Sequence, residues 1–421
     1  MYETFTLSNG LRVIAEPINH FRSVSVGLWI AAGSMTEKPS ENGLSHFLEH
    51  MLFKGTQKRS ARQIAEAMDE IGGQINAFTS KECTCYYAKV MDEHLPVAMD
   101  VLSDLLLGAT LDGGELEKER GVILEEIAMV EDTPEDIVHD LLCEAALVGN
   151  PLSQTILGTA QGISAYTRQD LAAYRAAHYR PDNTVLAVAG RYDAQALRQL
   201  AEEHLGKWRA TGPSACPEWA SCFMPGIRRK VKDIEQVHLC IAFPGIEMGN
   251  QDIYPLSIFN NFFGGGMSSR LFQRIREESG MAYSVYSYPA AYPGCGLYTL
   301  YAGTSPQHAG AVLSMLREEV QKVLDDGLTM EEFVKAREQL KGGYILGLES
   351  ASSRMSSIGR SELLLRRVQS EDEVIEKINS ATPEDVLRVA KSLLDHPNAA
   401  AIVGRDADAV PEQGLLWREH G

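Results

Sequence analysis

The sequence predicts an α+β protein that consists of two domains of the same fold. Its 421 residues are too many for one ordinary hydrophobic core. A stretch rich in glycine and proline, 206–226, separates two halves of similar length. We therefore expect an N-terminal domain at 1–210, a linker at 211–226 and a homologous C-terminal domain at 227–421.

The evidence for a duplication is an ordered set of features near the end of each half. Each set contains an acidic–apolar pair, a turn with proline and asparagine, an apolar strand and a Gly-Arg pair. In the first half these are Asp170-Leu171, Pro181-Asp182-Asn183, Val185–Ala189 and Gly190-Arg191. In the second half they are Asp385-Val386, Pro397-Asn398, Ala399–Val403 and Gly404-Arg405. The same order at a spacing of roughly 215 residues indicates an internal repeat.

The first half predicts a hairpin, further strands and a series of helices. Asn9-Gly10 lies between two short apolar runs and is typical of a two-residue hairpin turn. A β-rich run at Ser23–Ala32 precedes a helix that carries the motif described below. Ser60 and Gln63 form a capping-box pattern at the start of the next helix. The remaining predicted elements are a strand at Asn76–Val90 and helices from about Leu95 to Leu147.

Composition and charge disfavour several classes of function. The hydrophobic fraction of 44% and the charged fraction of 23% are those of a globular protein. A formal net charge of -18 disfavours binding to nucleic acid or to a membrane surface, because both need clustered Lys and Arg. The seven scattered cysteines indicate neither a disulfide framework nor a cysteine zinc site. The start of the chain resembles no signal or transit peptide, and no apolar run is long enough to span a bilayer, so we expect a cytoplasmic protein.

An apolar helical segment, 44–53, contains a pattern typical of a metal site. Residues four apart lie one above the other on a helix, so His46 and His50 can direct two imidazoles to one point. Glu49 can reach the same space and suits a general base. The order H-x-x-E-H is that of the inverzincins, and catalytic zinc uses three protein ligands with one position left open. The alternative is an ordinary helix with these residues by chance, but buried His and Glu need a partner such as a metal.

The third ligand has several candidates in and after the helical run 116–130. Glu126 lies in this run, and Glu119 lies two turns earlier on the same face, where it could accept a hydrogen bond from a ligand imidazole. The other candidates are Glu125, Glu131, Asp132 and His139. Spacing alone does not choose among them.

Two segments resemble the pitrilysin family, which includes insulin-degrading enzyme, mitochondrial processing peptidase and small bacterial processing-peptidase-like proteins. The first is Gly43–Thr56, which contains the motif. The second is Glu119–Glu126, which is similar to the family segment that ends in the third zinc ligand. The resemblance covers essentially the whole chain. It implies two homologous α/β-sandwich domains, each a mostly antiparallel sheet packed with helices, that together form half of a clamshell.

The resemblance also implies a metal and the residues that hold it. It implies one Zn2+ per chain, bound by His46, His50 and Glu126, with Glu119 as the outer carboxylate behind a ligand. Glu49 then matches the general base. The second half has no H-x-x-E-H sequence, so one zinc per chain is expected.

Two further segments are similar to substrate-binding parts of the family. Asn76, Ala77 and Phe78 match its edge strand, where the substrate backbone pairs as an added β-strand. An exposed strand edge binds an extended peptide through main-chain hydrogen bonds. Arg276 and Tyr283 match a pair in which the Arg holds a substrate carbonyl and the Tyr donates to the oxyanion. Without the resemblance, the strand would be interpreted as an ordinary amphipathic one.

The function that the resemblance implies is that of a zinc metalloendopeptidase. Half-length chains of this family pair to enclose peptides or unfolded segments in a chamber. We therefore expect a homodimer in which Arg276 and Tyr283 of one subunit serve the zinc site of the other. The main alternative is a non-catalytic binding or partner subunit of the same fold, although such subunits typically lose a zinc ligand or the catalytic glutamate. A zinc amidase acting on small molecules is a weaker alternative, since small ligands need no edge strand.

Overall fold

The computed structural model describes residues 2–210 and 223–417. Residues 211–222 of the predicted linker therefore lie outside the described part of the chain. Most of the described residues belong to two sheets and a large set of helices.

The strands and helices are numbered in chain order. The strands are β1 Glu3–Thr6, β2 Arg12–Pro17, β3 Ser23–Ile30, β4 Gln74–Thr79, β5 Thr84–Met91, β6 Thr184–Gly190, β7 Ile227–Val231, β8 Val237–Pro244, β9 Ala282–Tyr292, β10 Cys295–Thr304 and β11 Ala399–Gly404. The helices are α1 Leu44–Leu52, α2 Ala61–Asp69, α3 Leu95–Gly108, α4 Gly113–Glu131, α5 Pro134–Ala146, α6 Ala160–Ala165, α7 Arg168–His178, α8 Ala194–Leu205, α9 Ile253–Phe263, α10 Ala309–Asp326, α11 Met330–Gly347, α12 Ala351–Leu365, α13 Glu371–Ser380, α14 Pro383–Leu394 and α15 Glu412–Leu415. A π-helical turn covers Phe272–Glu278.

The two sheets have the same topology, which confirms the predicted duplication. The first sheet has the order β1-β2-β6-β3-β5-β4, and the second has the order β7-β11-β8-β10-β9. Apart from the additional β1, each sheet begins with one parallel pair, β2–β6 or β7–β11, and continues with antiparallel pairs. The predicted α+β class with mostly antiparallel sheets is therefore correct.

Local sequence signals identified several of these elements correctly. The predicted hairpin is β1–β2, and Gly10 has a φ of +94°, which a residue with a side chain rarely adopts. The Ser60 hydroxyl caps α2 with Gln63 as its reciprocal partner. The single strand predicted at Asn76–Val90 is wrong, because the chain reverses at 80–83 between β4 and β5.

The chain forms two compact units, and neither is a continuous half. In the described residues, the first unit combines 2–128 and 154–210 with Gly347–Val368, and the second combines Met129–Ser153 with 223–346 and 369–417. The units thus differ from the predicted contiguous domains by two segments, which contain α5 and α12. Each covers one face of a sheet, since α12 packs on β2, β3 and β6 and α5 packs on β7, β8 and β11. Without these helices, a second apolar sheet face would meet water.

The opposite face of the first sheet packs against the core that holds α1. Five large apolar side chains of α1 are almost completely buried there: Leu44, Phe47, Leu48, Met51 and Leu52. Each contributes about 2 kcal/mol by burial. The helix is therefore anchored on the face opposite its polar side chains, which keeps the polar ones in fixed positions.

None of the helices in the described residues is long and apolar enough to cross a membrane. The expected cytoplasmic location stays a prediction.

Candidate metal centre

A buried carboxylate, which no sequence pattern predicts, holds the start of α1. Glu37 accepts hydrogen bonds from the backbone N–H groups of Gly43 at 2.8 Å and Ser45 at 2.7 Å. Burial raises the pKa of Glu37 to about 7, although these hydrogen bonds oppose the rise. Gly43 has a φ of +97°, and a Cβ there would lie 2.7 Å from the carbonyl oxygen of Leu157. Both features determine where α1 begins and thus where its polar residues point.

Three predicted ligands from α1 and α4 converge in the first unit. The Nε2 atoms of His46 and His50 each lie 3.7 Å from the same carboxylate oxygen of Glu126. One donor atom from each of the three residues lies within 4.8 Å of the other two. Among residues 2–210 and 223–417, this is the one such group of three or more His, Cys, Asp or Glu side chains.

The spacing of these donor atoms fits a zinc ion. A distance of 3.7 Å is longer than a good hydrogen bond. Ligand atoms about 2.1 Å from a tetrahedral zinc ion lie roughly 3.4 Å from one another. Two imidazole nitrogens and one carboxylate oxygen are also the donor set of many catalytic zinc sites. The residues present are therefore suitable for zinc, with one coordination position left for a water or substrate.

The surroundings of the two imidazoles differ. Burial, with a smaller contribution from His50, lowers the pKa of His46 to about 4, so its ring is neutral. His50 directs Nδ1 to Glu119 at 3.1 Å, which leaves Nε2 to face Glu126. The other oxygen of Glu119 lies 2.7 Å from Nζ of Lys54. Glu119 thus contacts His50 from the helix face that it shares with Glu126, and its role as the outer carboxylate stays a prediction.

His46 has no hydrogen-bond partner on Nδ1 that corresponds to Glu119 on His50, within the described residues. Its Nδ1 atom is buried and has no hydrogen-bond partner within the described residues. The orientation of this ring therefore depends on packing alone, and the two histidines are held by different means.

The Glu49 carboxylate lies beside the three candidate ligands and takes no part in the His–Glu126 ion pairs. Its carboxylate accepts a hydrogen bond of 2.5 Å from the Thr79 hydroxyl in β4. Burial raises its pKa, while the Thr79 hydrogen bond and His50 act in the opposite direction. A carboxylate with a raised pKa is a better proton acceptor than an exposed one. The sequence contained Thr79 within the predicted edge strand but gave no sign of this contact.

The other candidates for the third ligand are directed elsewhere. Glu125 is exposed on α4, next to Glu126 but on a different face. Glu131, Asp132 and His139 belong to the second unit. In that unit, Glu131 pairs with a lysine of β7, and Asp132 pairs with a lysine just after β7. His139 contacts two tyrosines of β9.

The predicted edge strand is β4, at the end of the first sheet. Its residues pair with β5 on one side, and no further strand pairs with the other side within the described residues. Asn76 and Phe78 are exposed and Ala77 is half-buried. Because Thr79 of β4 contacts Glu49, this open edge runs past the candidate metal centre.

Arg276 and Tyr283 lie together in the second unit. The guanidinium carbon of Arg276 is 4.8 Å from the ring centre of Phe272 and 5.5 Å from that of Tyr283. Tyr283 is 75% exposed, so its hydroxyl is available to a binding partner. The structure thus brings the predicted pair together, although the two residues are separated by a turn in the sequence.

Comparison with known proteins relates both halves of the chain to one family. Residues 12–160 match the sequence profile of the insulinase domain of peptidase family M16, and residues 165–340 match that of the M16 inactive domain. The uncharacterized zinc protease YmxG of Bacillus subtilis is 44% identical over 96% of this chain and 98% of its own length. This chain belongs to peptidase family M16. An uncharacterized zinc protease of Streptomyces coelicolor is 40% identical over 95% of this M16 chain and 88% of its own length.

Two solved structures share the fold over 96% of this chain. A protease from Helicobacter pylori superposes with a TM-score of 0.91 at 21% identity, over 96% of this chain and 99% of its own. A peptidase M16 inactive domain from Pseudomonas fluorescens superposes with a TM-score of 0.89 at 18% identity. The family predicted from the sequence is therefore confirmed, together with the two-sheet fold. The residues that match the inactive domain, 165–340, contain none of the three candidate ligands.

Proposed function

We propose that this M16 chain is a zinc metalloendopeptidase that cleaves peptides or unfolded polypeptide segments. The observation that carries this proposal is the convergence of His46, His50 and Glu126 beside a carboxylate that binds none of them. The relatives from Bacillus subtilis and Streptomyces coelicolor are both named as uncharacterized zinc proteases, which supports the same reaction class.

In the proposed reaction, zinc would be held by His46, His50 and Glu126, one ion per chain. When bound, it supplies a Lewis acid that polarises the scissile carbonyl and makes water more acidic. Glu49 takes a proton from the attacking water and passes it to the leaving amine, so that the carboxylate is regenerated. Its hydrogen bond from Thr79 keeps the carboxylate in place between these two proton transfers. Glu119 keeps His50 oriented through Nδ1.

The open edge of β4 would position the substrate. An extended peptide can pair with the backbone of Asn76, Ala77 and Phe78, as an additional strand of the first sheet. Main-chain pairing does not depend on side-chain identity, so it suits a peptidase with varied substrates. It also requires an extended chain, which favours peptides and unfolded segments over folded proteins.

The proposal includes a homodimer with shared sites. Tyr283 is exposed and has a neighbouring guanidinium from Arg276, which suits them to an oxyanion and a substrate carbonyl. We propose that this pair of one subunit serves the metal centre of the other, within a chamber that both subunits enclose.

Mixing two inactive variants tests the shared site. We expect Glu49→Gln and Tyr283→Phe homodimers each to lose most peptide cleavage. In a mixed dimer, one site then carries both substitutions and the other carries neither, so activity should return toward half of the wild-type value per dimer. The measurement is cleavage of a quenched peptide after subunit exchange, with exchange verified by native mass spectrometry. Proven exchange without recovered activity would contradict sharing.

The reaction itself can be separated from a binding role by metal analysis and a peptide assay. We expect about one zinc ion per purified chain, and cleavage that disappears on chelation and returns with added Zn2+. A chain that binds zinc stoichiometrically but cleaves no member of a broad peptide library would instead be a non-catalytic binding or partner subunit. Cleavage that persists in metal-free protein would contradict the zinc mechanism.

A further inference from the structure

The open strand β4 presents its side chains to two different faces of the first sheet. Ala77 packs towards the core that holds α1, and Thr79 on the same face donates to Glu49. Phe78 points to the opposite face, where its ring meets Trp29 edge-to-face at 5.5 Å. Alternate residues of an added strand also point to opposite faces. A peptide paired with β4 therefore directs every second side chain away from the metal centre, towards the Trp29 face.

A cavity of about 620 Å³ lies on that second face, directly beside Phe78. The rings of Trp29 and Phe78 form one wall. The other wall consists mainly of serine side chains of α12, among them Ser356 and Ser357. The cavity belongs entirely to the first unit, since α12 is the segment that covers this sheet face. It is thus continuous with the edge at which we place the substrate.

Close packing holds the Trp29 part of the aromatic wall in place. Trp29 is 2% exposed, and its Nε1 donates to the sulfur of Met355 at 3.3 Å. A Cβ at Gly359 would lie 2.4 Å from the same Nε1, so the helix approaches the ring as closely as glycine permits. The pocket therefore exists before any ligand binds, which lowers the entropic cost of filling it.

The charged groups of the cavity are already paired with each other. Glu82 is buried, with one oxygen 2.5 Å from Arg360 and the other accepting a hydrogen bond from the Ser80 hydroxyl at 3.1 Å. A charged side chain that entered would lose hydration without gaining a free counter-charge. The size and aromatic wall instead favour a large uncharged side chain.

We propose that the cavity between β4 and α12 is a specificity pocket for one substrate residue with a large uncharged side chain, aromatic or branched aliphatic. This residue lies on the strand face opposite the one that meets Glu49. The proposal rests on the proposed peptidase function and adds to it a preference that main-chain pairing cannot provide.

The test compares cleavage sites in a mixed peptide library, read by mass spectrometry, for the zinc-loaded wild type and Ser356→Phe. We expect the wild type to prefer large uncharged residues at one position near the scissile bond. In Ser356→Phe, which places an aromatic ring inside the cavity, kcat/KM for peptides with Phe or Leu at that position should fall about 10-fold or more, while peptides with Ala there change less than about 2-fold. Ser356→Ala keeps the space and should retain the wild-type preference.

Ser314→Phe is the matched control, because Ser314 is an exposed serine on α10, outside the first unit. It should leave every preference unchanged. If Ser356→Phe has a lowered melting temperature, Ser357→Trp at the exposed rim replaces it. If the folded cavity variant keeps the wild-type preference, or loses activity equally towards all peptides, the pocket proposal is refuted and the proposed peptidase function is not. A zinc-loaded wild type that cleaves no peptide overturns the proposed function and the pocket together.

Discussion

Glu49→Gln is expected to abolish peptide cleavage while zinc stays bound. The amide is nearly the same size as the carboxylate but cannot accept the proton from water, so kcat should fall by about 10³-fold or more. Within the described residues, no hydrogen bond or ion pair joins the Glu49 carboxylate to the three candidate ligands, and the Thr79 hydroxyl can donate to the amide oxygen as it does to the carboxylate. Zinc content, measured by atomic emission, should therefore equal that of the wild type.

The control for this variant is Glu70→Gln, an exposed glutamate at the end of α2. It should keep both zinc and activity. Near wild-type cleavage by zinc-loaded Glu49→Gln would refute the assignment of Glu49 as the base. Loss of zinc together with activity would show that Glu49 supports the metal rather than the proton transfer.

Glu126→Gln is expected to lose the metal as well as the activity. A neutral amide oxygen is a much weaker zinc ligand than a carboxylate, and we expect the zinc affinity to fall by at least about 100-fold. The measurement is a competition titration with a zinc-binding dye, followed by the peptide assay at saturating zinc. The fold itself should persist, because Glu126 is half-buried and contacts only His46 and His50 among the ion pairs of the described residues.

Glu125→Gln provides a matched control one residue away on the same helix. Glu125 is exposed, so the same chemical change there should alter neither zinc affinity nor cleavage. Equal zinc affinities for the two variants would refute Glu126 as a ligand. A loss confined to Glu125→Gln would show that α4 presents a different face to α1 than the structure describes.

Local signals predicted much of the fold because the interactions behind them are local. The Asn9-Gly10 turn and the Ser60 cap each depend on backbone groups within a few residues. The reversal between β4 and β5 was missed because its turn lacks glycine, proline and asparagine. The Ser80 hydroxyl stabilises it instead, by accepting hydrogen bonds from the N–H groups of Glu82 and Cys83.

The position of α12 could not be predicted from the sequence in the same way. The repeat pattern assigned it to the C-terminal half, and that pattern reports only similarity between segments. Its packing on β2, β3 and β6 depends on an apolar sheet face formed by residues more than 150 positions earlier in the chain. The proposed pocket beside Phe78 exists only because of this long-range contact.

The α+β class, the duplication and the pair of imidazoles on α1 follow from local sequence patterns. Two histidines four residues apart must share a helix face, whatever else the chain does. The surroundings of these imidazoles depend on tertiary packing. The packing of α4 against α1 turns Glu126 to the histidines and Glu125 to solvent, and β4 brings Thr79 to Glu49. These contacts join segments that are distant in the chain, so their geometry depends on how the core packs and not on local spacing.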